Sequence, residues 1–173
     1  MIQTPIDRER SMPKLTHIDD KGRVCMVDVT QKKSSQRTAV AQAVVHMSAE
    51  TFQRIAAGTV SKGNVLETAR IAGVMAAKKT ADLIPMCHPL NLTHVQVDFF
   101  PDAASHSIRI EGTARIVDQT GVEMEALTAV SVTALTLYDM CKAVDKAMTI
   151  TDVCLLEKTG GKSGAFVREN ATP

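Results

Sequence analysis

Two runs of alternating apolar and polar residues, joined by a turn, constrain this chain more than any other feature. Leu92–Phe100 sets Val95, Val97 and Phe99 against Gln96 and Asp98, and His106–Val117 alternates again through Ile108, Ile110 and Ile116. A period of two sends successive side chains to opposite faces, so each run reads as a half-buried strand. Pro101-Asp102 supplies turn chemistry between them. The pair predicts an antiparallel hairpin, and the rest of the chain has to cover its apolar face.

The neighbouring segments supply that cover. Thr38–Met47, rich in Val and Ala, reads as another strand. Ser48 caps a short helix with Glu50 in its first turn, running to about Ala57 and closed by Gly58. Beyond Lys62-Gly63-Asn64, Val65–Leu83 places Leu66, Ala69, Ile71–Ala72, Met75–Ala76 and Lys79 at helical spacing, until Pro85 stops the pattern. Gly121 introduces a long helix over roughly Glu125–Lys146, and Met148–Glu157 returns to strand character. The order is strand, helix pair, strand, strand, helix, strand. That is an α+β chain: a ferredoxin-like βαββαβ sandwich with an extra helix in the first crossover and helices on one face of an antiparallel sheet. The other face is expected to be covered by a second subunit.

Composition narrows what such a fold can do. At 173 residues one domain is expected, with Met1–Lys14 a flexible tail, 15–168 the folded unit and 169–173 a short C-terminal tail. Aromatic residues make up 3 %, so the core must be built from Ala, Val, Ile, Leu and the nine Met. A net charge of +1 gives no global field for nucleic acid, and the strands lack the aromatic pattern of RNA-binding sheets. The apolar stretch Leu127–Leu137 is broken by Thr and Ser, so no membrane span is expected. Cys25, Cys87, Cys141 and Cys154 show no CxxC pairing, which suits reduced thiols in a cytoplasmic protein.

Five blocks carry chemistry-bearing residues. Leu15–Val29 holds His17, Asp19, Asp20 and Asp28, and reads alone as a polar loop running into a strand; Lys32 and Arg37 follow it. Lys62-Gly63 at a helix start offers a cation and free N–H groups to phosphate, or is an ordinary helix-start turn with a surface lysine. In Leu83–Leu90 two prolines stiffen Met86-Cys87-His88, an arrangement that can present a ligand contact or simply hold a structural histidine. No partner pair gives Cys87-His88 metal-ligand spacing. Glu123 and Glu125, if extended ahead of the long helix, would share one side. Asp139, Lys142 and Lys146 can share a helix face, either as a site or as a solvated ion pair. Leu156–Gly164 resembles a P-loop superficially, but Leu156 stands where the first glycine should be. It reads as a flexible cationic loop able to wrap anionic oxygens through Lys158 and Lys162.

Together and in this order the blocks resemble the MoaC family, through LTHxD…MVDV, KGxV…ARIAG…AAK, LIPxCHPL, TGVEMEALTA…YDMCKA and KxGGKSG, from about Leu15 to Arg168. Asn64 departs from the Asp common in that family. The resemblance implies a lyase of molybdenum cofactor biosynthesis acting on a cyclised guanosine triphosphate, 3′,8-cyclo-7,8-dihydro-GTP. The products would be cyclic pyranopterin monophosphate and diphosphate. It implies Asp139, Lys62 and Lys142 as catalytic residues, with both lysines reaching one site and either the same or a neighbouring subunit open as the source of one. It implies Met86, Cys87, His88, Met124 and Glu125 as substrate contacts, and ranks Glu123, Arg37 and Lys158 behind them. It further implies a homohexamer, a trimer of dimers with interface active sites. No resident cofactor or metal is expected; Mg²⁺ accompanying the triphosphate is compatible with this inventory but does not follow from it. The competing readings are a non-catalytic ferredoxin-like nucleotide-binding module and a metal-dependent hydrolase using His17, Cys87 and His88.

Overall fold

The computed structural model describes residues 21–162 and 164–169. The expected 1–14 tail, His17, Asp19, Asp20, Ser163 and residues 170–173 lie outside the described residues. The elements run β1 (Ser35–His46), α1 (Ala49–Ala56), α2 (Val65–Ala77), α3 (Thr80–Leu83), β2 (His94–Asp102), β3 (Ser107–Asp118), α4 (Glu123–Cys141), β4 (Thr149–Thr159) and β5 (Phe166–Val167). The strands form one sheet in the order β2-β3-β1-β4-β5, with every neighbour antiparallel. This is the α+β, ferredoxin-like arrangement that the alternation predicts, with β1 and β3 at the centre.

Side-chain alternation decides which face is covered. Ala39, Ala41, Ala43 and Val45 of β1, Ile108, Ile110, Ala114 and Ile116 of β3, and Val97 of β2 are all buried. Against them lie Ala126, Ala129, Val130, Ala134 and Leu137 of α4, equally buried. Each fully buried Ile or Leu contributes roughly 1.5–3 kcal/mol. The small residues explain how a core poor in aromatic rings still closes. Gly112, in register with Ala41 and Val97, lies so near α4 that a Cβ there would meet Val130 Cγ1 at 2.7 Å and Ala126 O at 3.3 Å. Gly73 lets α2 approach α4 in the same way, where a Cβ would reach Ala129 O at 2.9 Å. The helices therefore sit directly on the sheet and on each other. The opposite face is mixed in character: exposed Val117 and Arg115, an Arg109–Glu111 ion pair at 2.9 Å, and Arg109 stacked 4.1 Å over Phe100.

Several boundaries differ from the sequence expectation, each for a local reason. The helix expected over Val65–Leu83 breaks after Ala77, where the buried Thr80 hydroxyl donates to Ala77 O at 3.0 Å and takes up a terminal carbonyl. The long helix starts two residues early, at Glu123, which turns the extended Glu-Met-Glu into a first helical turn. It also stops early: Lys142 is its C-cap, and Lys146 lies beyond it, off the face that carries Asp139. Lys158 sits in β4 rather than in a flexible loop. Arg168, the last residue of the expected folded unit, is tied to the sheet edge through Arg168 N–H to Leu156 O at 2.8 Å and Nε to Leu155 O at 2.7 Å. No helix of the described residues is long and apolar enough to cross a membrane.

Candidate functional site

The first turn of α4 and two distant segments meet around a cavity of about 330 Å³. Glu123, Met124 and Glu125 come from the helix, Met86, Cys87 and His88 from the proline-bracketed segment, and Lys32 with Val27 and Val29 from the chain ahead of β1. The proline segment is held by a turn, Cys87 N–H to Ile84 O at 3.0 Å, with Pro85 at the position its fixed φ favours. His88 Nε2 donates to Val27 O at 3.0 Å, which joins two walls of the cavity and puts a hydrogen on that nitrogen.

Helical geometry separates the two glutamates that an extended reading places together. Two residues apart on a helix, they point about 200° from each other. Glu123 faces outward to Lys158, Oε1 to Nζ 2.9 Å, while Glu125 turns inward and is only 3 % exposed. Burial pushes the Glu125 carboxyl up to about 7, opposed by its own backbone N–H and reinforced by the negative charge of Glu123. Burial, with help from Glu125, also pushes the Cys87 thiol up. Cys87 is therefore a neutral wall of the cavity and not a thiolate nucleophile. At neutral pH Glu125 can either donate or accept a proton there.

A second cavity of about 170 Å³ shares Lys32, Thr120, Gly121 and Glu123 with the first and adds Arg37 and Lys158. Arg37 is fixed as well as charged: its Nε donates to Asp118 O at 3.0 Å and its Nη2 to Gln119 O at 2.8 Å. The two cavities form one cleft, half-apolar at the Met124 end and cationic at the Arg37 end. Lys32 lines both; the sequence reading names it after the first block but gives it no role, its place just after MVDV being the only signal.

Asp139, Lys62 and Lys142 meet elsewhere. Lys142 Nζ lies 2.7 Å from Asp139 Oδ1, and Lys62 Nζ lies 3.3 Å from Oδ2 and donates to Asp139 O at 2.7 Å. Both lysines thus reach one aspartate within a single chain. The Lys62 turn is set by Gly63 N–H to Val60 O at 3.0 Å, and Asn64 caps α2 by accepting from Glu67 N–H at 3.1 Å. Asn fills that capping role as Asp would. Hydrogen bonds from Lys142 and then Lys62 hold the Asp139 carboxyl below its ordinary range, and Asp139 holds Lys142 above its own. Lys142 is therefore firmly protonated.

Glu125 and Asp139 stand at opposite ends of α4, roughly 20 Å apart along the axis at about 1.5 Å per residue. One chain brings the substrate-contact candidates together and brings the catalytic candidates together, but it does not bring the two groups to each other. Among the described residues, no three His, Cys, Asp or Glu gather as a metal ion would need.

Comparison with known proteins agrees with these blocks. Residues 26–161 match the model of the MoaC family. A cyclic pyranopterin monophosphate synthase of Desulforapulum autotrophicum is 63 % identical over 158 residues, covering 91 % of this chain and 97 % of that protein. Its namesake from Roseiflexus sp. is 59 % identical, covering 91 % of this chain and 100 % of the relative. The protein of the same name from Clostridium perfringens is 54 % identical, over 88 % and 97 %.

Proposed function

The chain belongs to the MoaC family, and on that premise we propose that it is a cyclic pyranopterin monophosphate synthase acting in the cytoplasm in molybdenum cofactor biosynthesis. The substrate is the cyclised guanosine triphosphate and the overall class is a phosphorus–oxygen lyase. The observation that carries this reading is the convergence of three family blocks on one cleft at the start of α4, with a buried carboxyl poised near neutrality inside it.

The chemistry divides between the two ends of the helix. The cleft suits the modified guanine and its sugar: Met124 and Met86 give apolar surface, and His88 and Glu125 give polar contacts. Arg37, Lys32 and Lys158 suit the triphosphate. The purine's five-membered ring must open and a pterin must be rebuilt, which needs proton donors and acceptors. A sugar hydroxyl then attacks the α-phosphorus; its proton leaves to a base, the new phosphorus–oxygen bond forms, and the bond to the β-phosphate breaks with diphosphate departing. Lys142, held as an ammonium by Asp139, is a general acid, and Lys62 shares its aspartate.

We further propose that the working site is composite, with the Lys62–Asp139–Lys142 cluster of one subunit completing the cleft of another. The separation along α4 supports this, because one chain leaves each half-site without the other. A twofold pair is the simplest arrangement that joins them, since it supplies both contacts at once. The larger homohexamer is consistent with the same logic.

Incubation with the cyclised nucleotide, followed by oxidation and detection of pterin fluorescence, tests the activity. Tight binding without product would favour the non-catalytic nucleotide-binding module instead. Subunit exchange between inactive Lys142→Ala and Glu125→Gln proteins tests the composite site. Recovered turnover is expected; none despite proven exchange, or a fully active monomer, would place the whole site in one chain.

A further inference from the structure

The turn that follows α4 carries Lys142, and the segment that follows α1 carries Lys62. The two come together at Asp139, so something must fix α1 against that turn. Asp145 is the residue that joins them. It is 8 % exposed, and its Oδ2 accepts from Ser48 N–H at 2.8 Å while its Oδ1 accepts from Ala147 N–H at 2.9 Å. The buried Thr51 hydroxyl also lies 3.5 Å from Oδ2.

The first of these bonds substitutes for a missing local one. Ser48 caps α1, and its own side chain accepts from Thr51 N–H at 3.3 Å. In a complete capping box the residue at Thr51's position would be Glu or Gln, reaching back to the cap's N–H. Threonine is too short to do that. The acceptor comes instead from Asp145, on the turn after α4. A cap that could have been local therefore spans the fold.

On its far side the turn runs into β4, whose Thr149 pairs with His46, and its internal bonds lead back to α4. Val144 N–H and Asp145 N–H both return to Cys141 O, at 2.8 and 3.1 Å, and Tyr138 OH donates to Lys146 O at 3.2 Å. These bonds curl the turn onto the end of α4 without attaching it to α1. Thr51 and Asp145 are both buried, so water is a poor substitute for the bonds between them.

We infer that Asp145 is a positioning residue for the Lys62–Asp139–Lys142 cluster, locking the Lys142 turn to the helix that leads into the Lys62 turn. This rests on the reading of those lysines as catalytic. It goes beyond that reading by assigning the geometry to a residue that touches no substrate.

The test compares Asp145→Ala and Asp145→Asn with the parent, by steady-state kinetics and by NMR titration of the lysine ammonium groups, with Lys142→Ala identifying its signal. In Asp145→Ala, kcat should fall roughly ten- to a hundredfold with KM near the parent value, the scale of a misplaced catalytic group. The Lys142 ammonium should move back toward an ordinary lysine pKa. Asp145→Asn, which keeps a carbonyl oxygen as acceptor, should lie between the two, and it serves alone if the alanine variant does not fold. In a Lys142→Ala background the Asp145 change should add little, because both act through one group. An unmoved Lys142 titration, with activity lost only in proportion to folded protein, would overturn the inference. If Lys142→Ala itself kept full turnover, the catalytic reading would fail, while the titration would still report whether Asp145 positions the lysine.

Discussion

At the first turn of α4 the Glu125 carboxyl is 3 % exposed and burial holds it near neutrality, whereas at the last turn the Asp139 side chain is 56 % exposed and two lysines hold it ionised. One helix thus presents a carboxyl that can keep its proton and a carboxylate that cannot. The difference comes from surroundings alone. Desolvation disfavours charge at one end, and opposite charge favours it at the other. Exposed ion pairs contribute little in water, so the Asp139 end gains electrostatic strength only when something covers it. In the composite site proposed above, the buried carboxyl and the exposed charged cluster would be complementary halves.

The largest expected effect breaks the exposed half. Lys62→Ala, Lys142→Ala and Asp139→Asn should each lower turnover by roughly a hundredfold or more, the usual order for removing an acid or base. Thermal melting should scarcely move, since all three side chains are substantially exposed, at 42 %, 52 % and 56 % for Lys62, Lys142 and Asp139. Rates near the parent's would make the cluster a surface decoration and leave the cleft as the whole site.

The next effect sharpens the buried half. Glu125 is raised from its ordinary 4.5 to about 7, so the folded chain holds that proton more tightly than the unfolded chain does. The stability this lends is complete below about pH 4.5 and is lost as pH rises through 7. Glutamine cannot ionise and escapes the loss. Melting of Glu125→Gln should therefore exceed the parent's above pH 7, by up to about 3 kcal/mol, and the gap should close toward pH 4.5. Parallel melting curves across that range would show that water or a second subunit already solvates the carboxyl.

The fold was legible in the sequence wherever periodicity is local. The hairpin β2–β3, β1, the cap at Ser48 and the apolar middle of α4 all follow from side-chain alternation or capping chemistry. What escaped the sequence was decided by long-range bonds. The helix expected to reach Lys146 ends at Cys141, and Asp145 beyond it turns to cap α1. Strand β5 escaped because two residues carry no period. The candidate site residues came from motif blocks, which also paired Lys62 with Asp139 and Lys142; the distance between that cluster and Glu125 was not legible. Only the length of α4 separates Glu125 from Asp139, and only the start of that helix at Glu123 sends Glu123 and Glu125 apart.

The smallest effect concerns Lys158, where the two readings differ most sharply. As a mobile loop cation it would clamp phosphate freely. In β4, its Nζ lies 2.9 Å from Glu123 Oε1, the two side chains being 27 % and 29 % exposed. A partly exposed pair of this kind is worth about 1 kcal/mol or less, so Lys158→Ala should raise KM a few-fold and hardly change kcat. High salt should imitate part of that, because it screens the attraction between the lysine and phosphate. Unchanged affinity with lost turnover would move the lysine into the chemical step. The variant also reaches the buried carboxyl. Lys158 neutralises Glu123, and the charge of Glu123 is one of the causes that lift Glu125. Removing the lysine leaves that charge uncompensated at the mouth of the cleft, so Glu125 should be lifted further. The pH range over which Glu125 ionisation costs stability should then shift upward in Lys158→Ala, and it should return when Glu123→Gln is added. A pH dependence identical in all three proteins would mean that Glu123 and Glu125, two residues apart on α4, do not sense each other.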